Sequence, residues 1–190
     1  MSEIGVLALQ GAFQRHVAAL ERLGLGAVLV RRPEQLARLA GLILPGGESS
    51  VQLELIARAG LEPALLAFAR SGRPILGTCA GLILLAREVR SPVQRSFGLL
   101  DVCVARNAWG RQIDSFEAED DEHGMPLVFI RAPRILEHGR AEVLARYRGE
   151  PVLVREGNVL AATFHPELTS DLRVYAHLGS STSATPVKVP

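Results

Sequence analysis

The segment with the strongest chemical signal is Gly-Thr-Cys-Ala-Gly at residues 77–81, which follows an apolar run and precedes a helix-like one. This is a nucleophile-elbow pattern with cysteine in place of serine, in which the glycines allow a strained, tight turn. A helix that begins directly behind Cys79 favours its thiolate, the reactive form. The backbone N–H of Ala80 is left free to hold an oxyanion. The alternative is a buried, inert cysteine in a strand-to-helix turn.

A thiolate that attacks an acyl carbon also needs a base and a group that orients the base. His165 ends an apolar run at 160–164 and is followed by Pro166 and Glu167. Pro166 disfavours a helix there, and side chains two apart in extended chain share a face, so Glu167 can hold the imidazole. The alternative is a strand-end histidine beside a solvated glutamate. The remaining histidines are interpreted as surface or structural: His16, His123, His138 and His177.

A third signal is Pro-Gly-Gly-Glu-Ser-Ser at 45–50, at the end of another apolar run. The glycine pair lets backbone N–H groups approach a substrate or an oxyanion. Ser49 or Ser50 is predicted to cap the helix that follows. Taken alone, the glycine pair also fits an ordinary turn. Cys103, in a strand-like run without glycine, is predicted to be structural.

Composition excludes several classes of protein. The 190 residues are 48% hydrophobic and 22% charged, and the net charge of +1 gives no footprint for nucleic acid or an anionic membrane. Two cysteines make no disulfide framework and show no metal-type spacing. The start carries no basic signal region, and the longest apolar runs are far shorter than a membrane span. The chain is predicted to be a cytoplasmic globular protein.

The elements that must position these motifs alternate in the first half of the chain. Short apolar strands are predicted at 4–9, 27–30, 42–44 and 74–77, and helices at 13–23, 49–59, 62–69 and 81–87. This order predicts a three-layer α/β fold: a largely parallel central sheet flanked by helices, with sites at the carboxyl ends of its strands. Those ends are at Gln10, 45–49 and 78–81.

The second half of the chain lacks the regular alternation of strands and helices. Strands are predicted at 99–106, 127–130, 142–147, 152–154 and 159–164, antiparallel or mixed and appended to the parallel core, with a last helix at 171–178. We expect one domain over 1–178. The Ser/Thr/Pro-rich stretch 179–190 has no apolar period and is predicted to be a disordered tail.

The three motifs together resemble the triad-type (class I) glutamine amidotransferases: Pro-Gly-Gly-Glu-Ser at 45–49, Gly-Thr-Cys-Ala-Gly-Leu-Ile-Leu-Leu-Ala at 77–86 and Phe-His-Pro-Glu-Leu at 164–168. Further stretches at 7–13, 106–112, 115–117 and 129–133 are similar to the glutaminase-subunit family of pyridoxal 5′-phosphate synthase. The resemblance runs from about Gly5 to Asp171. Two departures are small: Ser50 stands where the family more often has threonine, and Trp109 where phenylalanine is usual.

The resemblance implies a role for each matching residue. It makes Cys79 the nucleophile, His165 the general base and acid, and Glu167 the residue that orients His165. Backbone N–H groups of two residues would form the oxyanion hole: Gly47 and Ala80. Six residues would contact bound glutamine: Gly47, Glu48, Ser49, Arg106, Ile130 and Arg131. An arginine is the natural bidentate partner of a carboxylate, but the sequence does not choose between the two arginines.

The implied reaction converts L-glutamine and water to L-glutamate and ammonia, without a metal or organic cofactor. The family also implies a partner, a synthase subunit that combines the ammonia with ribose 5-phosphate and glyceraldehyde 3-phosphate to make pyridoxal 5′-phosphate. Two alternatives remain. One is the glutaminase subunit of another amidotransferase, such as that of histidine biosynthesis, which the stretches at 106–112 and 129–133 disfavour. The other is a non-catalytic scaffold on the same fold, which an intact triad disfavours.

Overall fold

The structure, a computed structural model, describes residues 3–106 and 115–179. Its largest sheet has seven strands in the order β10-β11-β12-β4-β3-β1-β2. Within the described residues the strands are β1 (Glu3–Leu7), β2 (Gly26–Val30), β3 (Gly41–Leu44), β4 (Ile75–Thr78), β5 (Ala86–Arg90), β6 (Leu100–Ala105), β7 (Phe116–Glu119), β8 (Pro126–Phe129), β9 (Arg134–Glu137), β10 (Glu142–Tyr147), β11 (Glu150–Glu156) and β12 (Val159–Ala162). The α-helices of the same part are α1 (Phe13–Arg22), α2 (Ser49–Arg58), α3 (Glu62–Arg70), α4 (Ala80–Leu85) and α5 (Ala176–Gly179).

The centre of this sheet is parallel, and helices cover both of its faces. β1 pairs with β2 and β3, and β4 lies between β3 and β12. Successive side chains of a strand point to opposite faces. Leu42 and Leu44 accordingly pack in the core formed with α2, α3 and α4, while Ile43 packs in the core formed with α1 and α5. The predicted α/β fold is confirmed, including the antiparallel strands β10 and β11 from the second half.

The position of β12 decides where the predicted site residues meet. This strand lies beside β4 in the parallel part of the sheet, with Ala162 level with Thr78. β12 is thus inserted into the parallel core rather than appended to it. This position suits a strand whose residues are all apolar and buried. Parallel neighbours end at the same edge of a sheet, so the residues that follow the two strands lie side by side.

Two predicted elements differ in the structure. The predicted helix at 81–87 ends at Leu85, because residues 86–90 leave it to pair in parallel with β6 in a separate three-stranded sheet. The predicted helix at 171–178 is a 3-10 helix at Arg173–Tyr175 followed by the short α5. In the first case long-range strand pairing overrides a local helical pattern, whereas in the second the segment is helical but begins two residues later than predicted. Strands β7 and β9 were not predicted.

Some predictions fall outside the described residues. Residues 107–112, which carry part of the family resemblance, are among them, and so are residues 180–190 of the predicted tail. The described chain ends at Gly179, the last residue of α5. The prediction of a single domain over 1–178 stays a prediction. None of the helices in the described ranges is long and apolar enough to cross a membrane.

Candidate active site

Cys79 lies on a strained turn between β4 and α4. Its backbone is left-handed, with φ 49° and ψ −101°, and its N–H donates to the carbonyl of Ala162 at 2.8 Å. A Cβ on Gly77 would come within 2.4 Å of a side-chain carbon of Leu85. A Cβ on Gly81 would lie 2.0 Å from the carbonyl oxygen of Leu44, far inside contact distance. The glycines are therefore required by close packing, as the elbow pattern predicts.

His165 follows β12 and lies beside Cys79, within hydrogen-bonding reach of its side chain. Its backbone N–H donates to the carbonyl of Val128 at 2.8 Å, which ties the end of β12 to β8. Its Nδ1 is 2.7 Å from Oε1 of Glu167, and both side chains are buried. The predicted pairing is present, but its expected geometry was wrong. Residues 166–168 form a 3-10 turn, since proline is well suited to the first position of a helix, and this turn folds Glu167 back onto the imidazole.

The electrostatics of this pair favour a charged imidazole. Burial opposes the imidazolium, but hydrogen bonds to Cys79 and Glu167 outweigh burial and raise the pKa of His165 to about 10. Burial alone would raise the pKa of Glu167, yet its hydrogen bond with His165 and the positive charge of that imidazole hold the pKa below its usual range. Glu167 therefore stays ionised and stabilises positive charge on His165.

A second histidine lies directly behind the His165–Glu167 pair. His16 of α1 has no exposed surface, and its Nδ1 is 2.8 Å from the hydroxyl of Tyr175. Its Nε2 is 3.2 Å from Oγ1 of Thr78 and 3.5 Å from Oε2 of Glu167. Burial lowers the pKa of His16 to about 4, so the ring is neutral near pH 7. The interpretation of His16 as surface or structural missed its contact with Glu167.

Cys79 and His165 open into one cavity of about 210 Å³. Its lining includes the six residues predicted to contact glutamine, together with Gln10, Ala12, Gly46 and Ile83. The carbonyl oxygen of Ile130 lies 3.9 Å from Sγ of Cys79. Two predicted residues lie behind the wall: Ala80, buried at the start of α4, and Glu167, behind His165. The structure thus brings the predicted residues to a single place.

The glycine pair at the end of β3 forms one wall of the cavity. The N–H of Gly46 donates to Oγ1 of Thr78 at 3.1 Å, and its carbonyl accepts from the N–H of Ala12 at 3.0 Å. Because a trans peptide holds its C=O and N–H on opposite sides, the Gly47 N–H points away from Ala12. A Cβ on Gly46 would be 2.5 Å from Cε1 of His165. This wall therefore has no room for a side chain.

Charged groups occupy the outer part of the cavity. Oε1 of Glu48 accepts from the Arg106 guanidinium at 2.7 Å. Burial opposes ionisation of Glu48, but contacts with Ser50, Arg106 and Arg131 hold its pKa below the usual range. Arg131 is exposed and has a left-handed backbone with φ 45°. An anionic and a cationic group thus face the same space.

The helix cap next to this ion pair differs from the prediction. Glu48, not a serine, is the N-cap of α2, and its carboxylate accepts from the N–H and the hydroxyl of Ser50. The hydroxyl of Ser49 instead donates to Oε1 of Gln94 at 2.9 Å. A carboxylate serves the positive end of a helix as well as a hydroxyl does, and here it also reaches Arg106.

Gln10 lines the cavity, although the sequence predicted only that it ends a strand at the site and gave it no contact with the substrate. Its Oε1 accepts from the backbone N–H of Glu48 at 3.0 Å, and its own carbonyl accepts from Nε2 of Gln52. A Cβ on Gly47 would be 2.4 Å from the same Oε1. The available signal was its position just after β1, at an edge where the site was expected.

Cys103 has the opposite environment. It is fully buried in β6, and burial raises the pKa of its thiol. A neutral thiol enclosed in the core suits the structural interpretation.

Comparison with known proteins gives concordant findings along the chain. Residues 6–180 match the model described as the SNO glutamine amidotransferase family. The pyridoxal 5′-phosphate synthase subunit PdxT of Koribacter versatilis (strain Ellin345) is 55% identical over 178 residues, covering 91% of this chain and 92% of that protein. The protein of the same name from Thermotoga maritima is 46% identical over 181 residues, covering 92% of this chain and 96% of that protein.

Solved structures agree on the fold. A structure described as the crystal structure of glutamine amidotransferase matches with a TM-score of 0.85 at 47% identity, over 92% of this chain and 96% of that one. The structure of PurLQS from Thermotoga maritima matches with a TM-score of 0.66 at 19% identity, over 93% of this chain and 96% of the matched one. At that identity the second match shows the shared fold alone.

Proposed function

The chain belongs to the SNO glutamine amidotransferase family, and we propose that it is the glutaminase subunit of a pyridoxal 5′-phosphate synthase. The observation that carries the proposal is the meeting of Cys79, His165 and Glu167 at the edge of the sheet, with the first two facing a cavity. Relatives that cover nearly the whole chain are named as subunits of that synthase. The expected cytoplasmic location stays a prediction.

The reaction is acyl transfer to a thiol, followed by hydrolysis. The thiolate of Cys79 attacks the side-chain amide carbon of glutamine, and the carbonyl oxygen becomes an oxyanion. Backbone N–H groups of Gly47 and Ala80 hold this oxyanion. His165 donates a proton to the departing nitrogen, so that ammonia leaves and a γ-glutamyl thioester remains. His165 then takes a proton from water, which attacks the thioester. Collapse of this adduct breaks the C–S bond, releases glutamic acid, which ionises to glutamate in water, and restores the Cys79 thiolate and the protonated His165.

The outer cavity suits the amino-acid end of glutamine. The carboxylate of Glu48 is placed to bind the α-ammonium group, and Arg106 and Arg131 lie near enough to affect Glu48 electrostatically. Either guanidinium offers the planar pair of donors that an α-carboxylate takes. Ser49 and Ile130 complete the wall around the substrate. The cavity therefore carries charges opposite to both ends of a zwitterion.

The partner in this proposal is the synthase subunit that consumes the ammonia. We expect it to dock over the mouth of the cavity, where Gln10, the Gly46-Gly47 turn and His165 lie, and to activate the glutaminase by fixing the Gly47 N–H on the oxyanion. Turning the peptide between Gly46 and Gly47 breaks the hydrogen bond from the Ala12 N–H to the Gly46 carbonyl, which costs a free energy of about 0.5–1.5 kcal/mol. Differential binding by a partner is large enough to bias such an equilibrium.

The test is a steady-state assay of glutamate formation by the purified chain, with and without the synthase subunit. An oxyanion donor is worth about 10²- to 10³-fold in rate, so the partner is expected to raise kcat by a factor of that order. No glutamate formation under either condition contradicts the glutaminase function. A free chain that already works at full speed contradicts the coupling. A chain activated only by a different acceptor subunit favours another amidotransferase.

A further inference from the structure

His16 is a buried polar residue that the reaction described above does not use. Its ring nitrogens face three groups from distant parts of the chain: Tyr175 on one side, and Thr78 and Glu167 on the other. Burying a polar ring costs free energy unless its nitrogens have hydrogen-bond partners, and these three groups are the partners that His16 has.

The neighbours of His16 select one tautomer. Glu167 is ionised, and a ring-nitrogen lone pair aimed at its carboxylate would be repelled, so Nε2 carries the hydrogen. Nδ1 is then an acceptor, and the hydroxyl of Tyr175, 2.8 Å away, donates to it. Burial raises the pKa of Tyr175, so this hydroxyl keeps its proton. Tyr175 thereby fixes which nitrogen of His16 is protonated.

The Nε2–H of His16 faces both halves of the catalytic apparatus. Its 3.5 Å separation from Oε2 of Glu167 is long for a hydrogen bond, so this attraction is mainly electrostatic. Within the described residues, that buried oxygen has no hydrogen-bond partner. At 3.2 Å, Nε2 also meets Oγ1 of Thr78, the atom that accepts the N–H of Gly46. The His16 imidazole therefore lies next to both the Glu167 carboxylate and the Thr78 hydroxyl that binds the Gly46-Gly47 turn.

We propose that His16, oriented by Tyr175, is a positioning residue for glutamine hydrolysis. Its Nε2–H holds the Glu167 carboxylate against His165, and it also holds the Thr78 hydroxyl in place to accept the N–H of Gly46. His16 does not touch the cavity and moves no proton. Its effect is on the geometry of the groups that do the chemistry. This inference rests on the proposed glutaminase function.

The test compares His16→Leu with His16→Gln in the complex with the synthase subunit. Leucine fills the space without an N–H, whereas the glutamine amide can place an N–H near the position of Nε2. We expect His16→Leu to lower kcat about 10- to 100-fold, the usual size of such indirect effects, with KM within about twofold of wild type. His16→Gln should recover most of the loss. His138→Leu, which removes a remote imidazole bonded to the carbonyl of Ala141, is the matched control and should keep wild-type kcat.

A second variant keeps the test decisive if His16→Leu does not fold, as judged by circular dichroism. Tyr175→Phe removes only the hydroxyl and should lower kcat about threefold to tenfold, the worth of one neutral hydrogen bond. Wild-type kcat in His16→Leu or Tyr175→Phe would overturn the inference. Equal losses in His16→Leu and His16→Gln would reduce His16 to a packing role and overturn it too. Absence of glutaminase activity in the wild-type complex would instead overturn the proposed function on which it rests.

Discussion

Cys79→Ala is expected to abolish glutamine hydrolysis while the fold is kept. Removing the nucleophile of a comparable triad lowers kcat on the order of 10⁶-fold, because the remaining groups cannot form the covalent intermediate. Alanine is smaller than cysteine and, with its own Cβ, meets the same left-handed backbone at φ 49°, so the substitution adds no new strain. The measurement is glutamate release by the complex with the synthase subunit, with circular dichroism to confirm folding.

The matched control for that experiment is Cys103→Ala. Cys103 is fully enclosed in β6, so its loss leaves a small void and lowers the free energy of unfolding by about 1 kcal/mol, without reaching the cavity. Folded Cys103→Ala protein should keep wild-type kcat. Near-normal turnover by Cys79→Ala, or inactivity of folded Cys103→Ala, would show that the nucleophile has been assigned to the wrong residue.

His165→Ala is expected to lower kcat far more than Glu167→Gln. In the proposed mechanism the imidazole delivers the proton to ammonia and activates water, so its loss should cost about as much as the loss of Cys79, on the order of 10⁶-fold. The same mechanism gives Glu167 only the task of orienting and stabilising the imidazolium. A glutamine there can still accept from Nδ1 of His165, and its amide can donate to His16 if that ring changes tautomer. The expected loss for Glu167→Gln is at most about 10⁴-fold.

The order of these losses is read from kcat at saturating glutamine and saturating synthase subunit. Far-ultraviolet circular dichroism of each variant excludes unfolding as the cause. Equal losses, or a larger loss in Glu167→Gln, would contradict the division of roles between the imidazole and the carboxylate.

Much of the fold could be predicted because its first half follows local rules. Apolar strands such as 42–44 and amphipathic helices alternate, and this order alone predicts a parallel sheet covered on both faces. The position of β12 could not be predicted in this way, since strand order is set by long-range packing. β5 was missed for the same reason: residues 86–90 look helical until they pair with β6.

The candidate site divides along the same line. Cys79, His165 and the Gly46-Gly47 turn each lie in a motif whose chemistry is visible in a few neighbouring residues. His16 lies in no such motif, because its proposed role depends on a hydrogen bond with Tyr175, which is 159 positions away in the sequence. On α1 alone, a histidine has no partner that would suggest more than a structural role. The cap at Glu48 was missed because hydroxyl side chains follow it and are usually better candidates.

Covalent labelling by diazo-oxo-norleucine, located by peptide mass spectrometry, tests the central claim most directly. This glutamine-like electrophile reacts only where a substrate pocket presents it to a nucleophile. We predict one adduct per chain in the presence of the synthase subunit, located on Cys79 and suppressed by excess glutamine, with Cys103 unmodified. An unlabelled protein, or an adduct located on Cys103, would contradict the assignment of this cavity as a cysteine-dependent glutaminase site.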